Sequence, residues 1–241
     1  MPVRAATGTG ERVSISAGHA VIEGYEPVPP PGRATGTRPE TAMFRRRSPQ
    51  PSRRAVLHVQ APGDPAAPAG LGDWFTERAF HFYLAGLRLP ARLARRDLAG
   101  RPARRSLAAA FADLDAASTQ LRDADGIGHL IVTAQGRSAL AAALWSSARS
   151  ITRPDATADA LILADPALPY GPARLNISCP VLVLTGRPVA GWRRRRTAGT
   201  PWLGNHVTWL QLPDPGSQDF YAELGRWLGA YMYGRGQDRL L

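Results

Sequence analysis

From Arg54 onward the chain alternates short, continuously apolar runs with longer Ala-rich amphipathic stretches, and this alternation restricts the fold more than any other feature. Runs such as ALILA (160–164) and VLVL (181–184) are too short for helices. They also lack the polar alternation of a half-exposed strand, so they read as strands buried on both faces. Interleaved with helices they describe βαβ units, which build a mostly parallel sheet between two helical layers. The pattern predicts strands over 55–60, 81–84, 129–134, 160–164, 180–185 and 206–212, and helices over 71–79, 106–123, 137–149 and 219–233. Residues 1–54 are richer in Pro, Gly and Thr and predict two short strands, 12–22 and 40–47, around a loop at 27–38. That arrangement suits an antiparallel edge. The expected organisation is an irregular N-terminal segment with an edge strand (1–39), a three-layer αβα domain (40–234) and a short C-terminal tail (235–241).

With 241 residues and 44% hydrophobic content, the chain can bury one sizeable core. No apolar stretch reaches the roughly 18 to 20 residues of a membrane span, and the start MPVRAATGTGERVSIS lacks the apolar centre of a secretory signal. A single cysteine, Cys179, excludes an intramolecular disulfide framework and a cysteine-based zinc cluster. The expectation is a cytoplasmic protein with no metal and no cofactor.

Thirty basic against 19 acidic residues give a formal charge of +11. Every one of those cations is Arg, a bias that fits a GC-rich bacterial genome. The excess sits in Arg45-Arg46-Arg47, Arg53-Arg54, Arg95-Arg96, Arg104-Arg105 and Arg193 to Arg196. None of these clusters is interleaved with the aromatic residues that single-strand binders use for stacking. They are expected as solvated faces, with Arg193, Arg194, Arg195 and Arg196 available to an anionic surface.

Four stretches carry a resemblance. AVLHVQAPGD (55–64) is similar to a strand followed by an oxyanion loop, and FTERAFHFYLAGLRLPARLAR (75–95) to the helix, strand and turn that come next. HLIVTAQGRSALAAALW (129–145) is similar to a nucleophile elbow, and CPVLVLTG with HVTWLQLPDPGSQDFYAELGRWLGAYM to the last strands and closing helix. In this order they resemble the α/β-hydrolase fold, in particular the serine aminopeptidase-like and lysophospholipase-like bacterial serine hydrolases. The resemblance spans residues 40 to 233. It implies a three-layer fold whose lid region is reduced, because 166–178 leaves room only for a brief loop.

The resemblance also implies where chemistry belongs. An elbow of the form G-x-S-x-G places a serine at the apex of a strained strand-to-helix turn. Laid onto this chain, the five positions fall on Ala134, Gln135, Gly136, Arg137 and Ser138, so the nucleophile's place holds Gly136. The base histidine belongs in the loop after the last strand, where Ser217 stands nearest its position. The acid belongs after strand 180–185, yet 187–206 contains no Asp or Glu. Asp165, Asp214 and Asp219 are the remaining carboxylates near the implied cleft, and Ser138 is the alternative nucleophile. The oxyanion-loop positions fall on Gln60, Ala61 and Arg137, with Pro62 removing a donor. His58, His81, His129 and His19 are expected to be structural.

Two readings of different class follow. The main expectation is a catalytically degenerate hydrolase-fold protein retained for binding, with a protein partner or a second copy of itself as the occupant. The alternative is a divergent serine hydrolase acting on esters, lipids or peptides through Ser138 or Ser217. A basic anion or nucleic-acid binder is the third.

Overall fold

The computed structural model describes residues 22–28, 42–68, 70–89, 101–154, 157–166, 175, 177–186, 207–211 and 217–237. Eight strands form one sheet: β1 (Glu26–Val28), β2 (Met43–Arg46), β3 (Arg54–Gln60), β4 (His81–Gly86), β5 (His129–Gln135), β6 (Ala160–Ala164), β7 (Val181–Thr185) and β8 (Val207–Gln211). Their spatial order is β1-β2-β4-β3-β5-β6-β7-β8. From β4 to β8 every pairing is parallel, while β2 runs antiparallel to both β1 and β4.

Side chains alternate across the sheet, so each strand feeds two cores. Leu57, Val132, Leu161 and Val181, aligned across neighbouring strands, enter one core. There they meet Leu114 of α2 (Arg101–Thr119) and the alanines Ala139, Ala142 and Ala143 with Trp145 of α3 (Gly136–Thr152). Val56, Ile131, Ile162 and Leu182 enter the other core, with Trp74 and Phe75 of α1 (Leu71–Thr76) and Phe220, Leu224 and Leu228 of α4 (Gln218–Gln237). Burial on both faces is why the central strands read as uninterrupted apolar runs.

The expected βαβ pattern is present, and the differences have local causes. The edge strand β1 begins one residue before the predicted 27–38 loop and takes up its first two residues. Its EPV sequence carries no apolar periodicity, and pairing with β2 decides its state. The predicted strand 12–22 lies outside the described residues except for Ile22, which precedes a turn. Helix α1 ends at Thr76 rather than at residue 79, because Ala79 turns the chain with φ of 61° to enter β4. Helix α2 starts five residues before the expected 106 and passes into a π-helical turn, Gln120–Ala124. Helix α4 runs to Gln237, so 235–237 belong to the helix and not to a tail. No helix among the described residues is long and apolar enough to cross a membrane.

Where described, Arg47 and Arg53 stand exposed as expected, while Arg45, Arg46 and Arg54 are half-buried and partnered. Arg45 bonds Glu26 at 3.0 Å and Asp125 at 3.1 Å, Arg46 pairs with Asp73, and Arg47 with Glu26. Arg54 lies over the Phe80 ring. Arg95, Arg96 and Arg193 to Arg196 lie outside the described residues.

Candidate functional site

At the carboxyl end of β5 the chain turns directly into α3. Gln135 is still extended, with φ of −128° and ψ of 148°, and Gly136 takes φ of 61°. This left-handed conformation costs an L-residue roughly 1–2 kcal/mol, and glycine adopts it without that cost. A β-carbon at Gly136 would stand 3.6 Å from Asp64 Oδ1 and 3.7 Å from Pro65 Cδ, so the apex faces the loop after β3.

That loop begins with Ala61-Pro62-Gly63-Asp64. Asp64 N–H donates to Ala61 O at 3.1 Å and Gly63 has φ of 79°. Pro second and a positive-φ Gly third are the residues a type II turn requires. The turn folds the Asp64 carboxylate back over the start of α3. Oδ2 accepts the N–H of Ser138 at 3.1 Å, the Ser138 hydroxyl at 2.6 Å and the N–H of Ala61 at 3.3 Å. Oδ1 accepts Arg137 Nε at 3.0 Å, and the same guanidinium donates to Pro62 O. The Asp64 side chain is 3% exposed. A buried carboxylate is tolerated here because it is fully hydrogen-bonded, paired with a guanidinium and set at a helix N-terminus. Gln60 braces the loop, its Nε2 donating to Pro65 O at 3.0 Å.

The other sequence-derived residues distribute as follows. Ser138 is fully buried and its proton is committed to Asp64. Asp165 follows β6 with φ of 42° and accepts the N–H of Gly186 at 2.9 Å. It stands exposed at the ends of β6 and β7. Ser217 caps α4, its Oγ accepting the Phe220 N–H at 3.2 Å. Asp219 lies exposed in the first turn of that helix. Asp214 and His206 lie outside the described residues. His81 bridges Ser48 N–H and Ser52 O, and His129 lies 3.7 Å from Asp159. Both are structural in this sense. The structure therefore brings together Gln60, Ala61, Arg137 and Ser138 around Gly136, and does not join Ser217 or Asp165 to them by any bond among the described residues.

The residue that organises this place, Asp64, was missed in the sequence. A signal for it exists: Pro-Gly after a buried strand announces a reversal, and the next residue returns over the strand end.

This fold aligns with known structures. An α/β serine hydrolase without a lid from Xanthomonas campestris aligns over 90% of this chain and 96% of its own, with TM-score 0.52 and 14% identity. An esterase from Rhizomucor miehei aligns over 86% and 82%, with TM-score 0.53 and 11% identity. An α/β serine hydrolase homologue from Coxiella burnetii aligns over 88% and 98%, with TM-score 0.51 and 9% identity. The fold is that of the α/β-hydrolases. No protein-family model and no curated protein matches this sequence. The β5–α3 junction is a strand–turn–helix with Gly136 at its apex.

Proposed function

We propose that this chain keeps the α/β-hydrolase scaffold for binding, not for turnover of esters or peptides. One observation carries the reading: beside the elbow apex the Asp64 carboxylate takes the N–H groups of Ala61 and Ser138, which adjoin the donors such a fold would turn on a developing oxyanion. In hydrolases of this fold that anion is held by the N–H after the nucleophile and by an N–H from the loop after the third strand. Here Ala61 supplies the loop N–H, and Ser138, one residue beyond the usual donor, supplies the other. Both are directed to Asp64. A second anion would meet a resident negative charge, and the apex residue Gly136 has no atom with which to attack.

Intact-mass spectrometry after incubation with a fluorophosphonate, alongside an active serine hydrolase, tests this. The expected outcome is no adduct and no hydrolysis of p-nitrophenyl acetate above the rate of a Ser138→Ala variant. A stoichiometric adduct overturns it.

The alternative, a divergent serine hydrolase acting on esters, lipids or peptides, is favoured by a different observation. The aligned structures are described as serine hydrolases and an esterase. An adduct mapped to Ser138 or Ser217 would carry that reading, with Ser138 first because it adjoins the elbow.

A further inference from the structure

At the antiparallel edge of the sheet, Glu26, Arg45 and Tyr83 stand in one row across β1, β2 and β4. Tyr83 belongs to the core beneath α2 and α3, and directly paired residues share a face, so all three side chains leave that side of the sheet. Past α2 the chain makes the π-helical turn Gln120–Ala124, closed by the Asp125 N–H donating to Gln120 O at 3.2 Å. Such turns recur at functional sites. This one sets Asp125 over the row, where Oδ2 accepts the Tyr83 hydroxyl at 2.6 Å and Arg45 Nη1 at 3.1 Å.

Arg45 Nε donates in turn to Glu26 Oε1 at 3.0 Å, and the same oxygen accepts Arg47 Nε. Asp125, Arg45, Glu26 and Arg47 thus form a chain of alternating charge. The bonds from Arg47 and from Arg45 hold the Glu26 carboxyl below its ordinary range, so the inner acid is ionised. The two inner members are bonded on both sides, and the two ends are not. Among the described residues, Asp125 Oδ1 and both Nη atoms of Arg47 have no hydrogen-bond partner, and the Arg47 side chain is 61% exposed.

Both ends open on one basin of about 370 Å³, lined by Arg45, Arg47, His81, Tyr83, Ala124 and Asp125. That volume admits a small molecule. His81 contributes wall and no charge: its Nδ1 accepts the Ser48 N–H, so the ring proton is on Nε2, which donates to Ser52 O. None of Gln60, Asp64, Ala134, Gln135, Gly136 and Ser138 lines the basin. His81 begins β4 and Asp125 precedes β5, whereas the elbow follows the carboxyl end of β5, so the two places are distinct.

The charges of the chain cancel, which decides the chemistry of a ligand. A simple anion drawn to Arg47 is repelled by Asp125, and a simple cation drawn to Asp125 is repelled by Arg47. A molecule that carries both signs meets its opposite at each end, and once one end is held the other binds as an intramolecular step. Arg47 offers a free two-nitrogen edge, the geometry that suits a carboxylate.

We propose that this basin is a binding site for a small zwitterion of the amino-acid class, whose carboxylate is taken by the Nη edge of Arg47 and whose ammonium donates to Asp125 Oδ1. This stands whether or not the chain turns over esters at the elbow.

The test is a ligand-observed NMR titration of the full chain with glycine, β-alanine, γ-aminobutyrate and ε-aminocaproate, which carry their two charges at increasing separation. Butyrate and butylammonium are the singly charged controls. At least one zwitterion is expected to bind about tenfold more tightly than both controls. Arg47→Gln, at an exposed position, is expected to abolish that advantage while leaving butylammonium unchanged, and Asp125→Asn to abolish the preference over butyrate. If no zwitterion exceeds both controls by that margin, the ends are ordinary solvated charges and the proposal is overturned. An advantage that persists in Arg47→Gln places the binding elsewhere and overturns it too. If Asp125→Asn fails to fold, the native titration and Arg47→Gln decide by themselves.

Discussion

Strand β5 is held at both ends by an aspartate, and the two ends use the same parts for different results. At the amino end Asp159 Oδ2 accepts the N–H of Leu130 at 2.8 Å and Arg122 Nη2 at 2.9 Å. At the carboxyl end Asp64 accepts the N–H of Ser138 and the guanidinium of Arg137. Each joins a backbone donor and an arginine through one carboxylate. The Asp159 side chain keeps 25% of its surface in solvent, and that of Asp64 keeps 3%. The amino end of a parallel sheet needs only to be closed, whereas the carboxyl end is where α/β folds open their crevices. A carboxylate sealed there puts the same bracing device at the end of the sheet that other α/β folds leave open.

Four substitutions sharpen or break this comparison. Asp64→Ala removes the partner of a mostly buried guanidinium together with three hydrogen bonds to Oδ2, and is expected to cost about 3–4 kcal/mol in urea unfolding. A loss below about 1 kcal/mol would mean that the two ends are not braced alike. Between the ends lies His58, whose folded-state pKa of about 4 stands below the ordinary histidine value of 6.5. The unfolded chain therefore binds more protons in that interval. His58 contributes stability that is present in full above pH 6.5 and is lost as pH falls toward 4, on the order of 3 kcal/mol. Subtracting the pH profile of His58→Gln from that of the native chain should leave this slope, and a flat difference would refute it.

Asp159→Ala is expected to cost about 2 kcal/mol, less than its counterpart because water reaches the site and can take over part of the bonding. Equal losses at the two aspartates would remove the distinction drawn from burial. Gly136→Ser is the smallest, about 1 kcal/mol, from forcing an L-residue to φ near 61°. The space around the apex admits the added β-carbon at ordinary contact distance. Nitrophenyl ester hydrolysis should stay at background in Gly136→Ser, because Asp64 still takes the N–H groups of Ala61 and Ser138; a clear gain would show that the missing serine alone separates this chain from turnover.

The sheet was legible wherever burial on two faces writes itself into composition. Strand β6 starts and stops where ALILA does, and β3, β5 and β7 differ from expectation by one residue at an end. Strand β1 was not legible, because three residues containing Pro27 at a sheet edge are made into a strand by their neighbour. The onset of α2 was hidden by the arginines of RPARR, which carry no apolar period. Gly136 at the apex was readable through the resemblance, by laying the elbow pattern onto 134–138. Asp64 was not, since its role depends on a turn that delivers it to a helix 74 positions away. His58 looked like any histidine within a buried strand, and only the three-dimensional placing of Thr133 shows that one nitrogen is engaged and the other is not.

That 74-residue separation between Asp64 and Ser138 has an entropic side. The contact closes the same loop, through α1, β4 and α2, that the pairing of β3 with β5 closes. Once those strands are paired, it adds little loop-closure entropy of its own. The aspartate at the elbow is thus a clasp whose entropic cost is shared with the sheet beneath it.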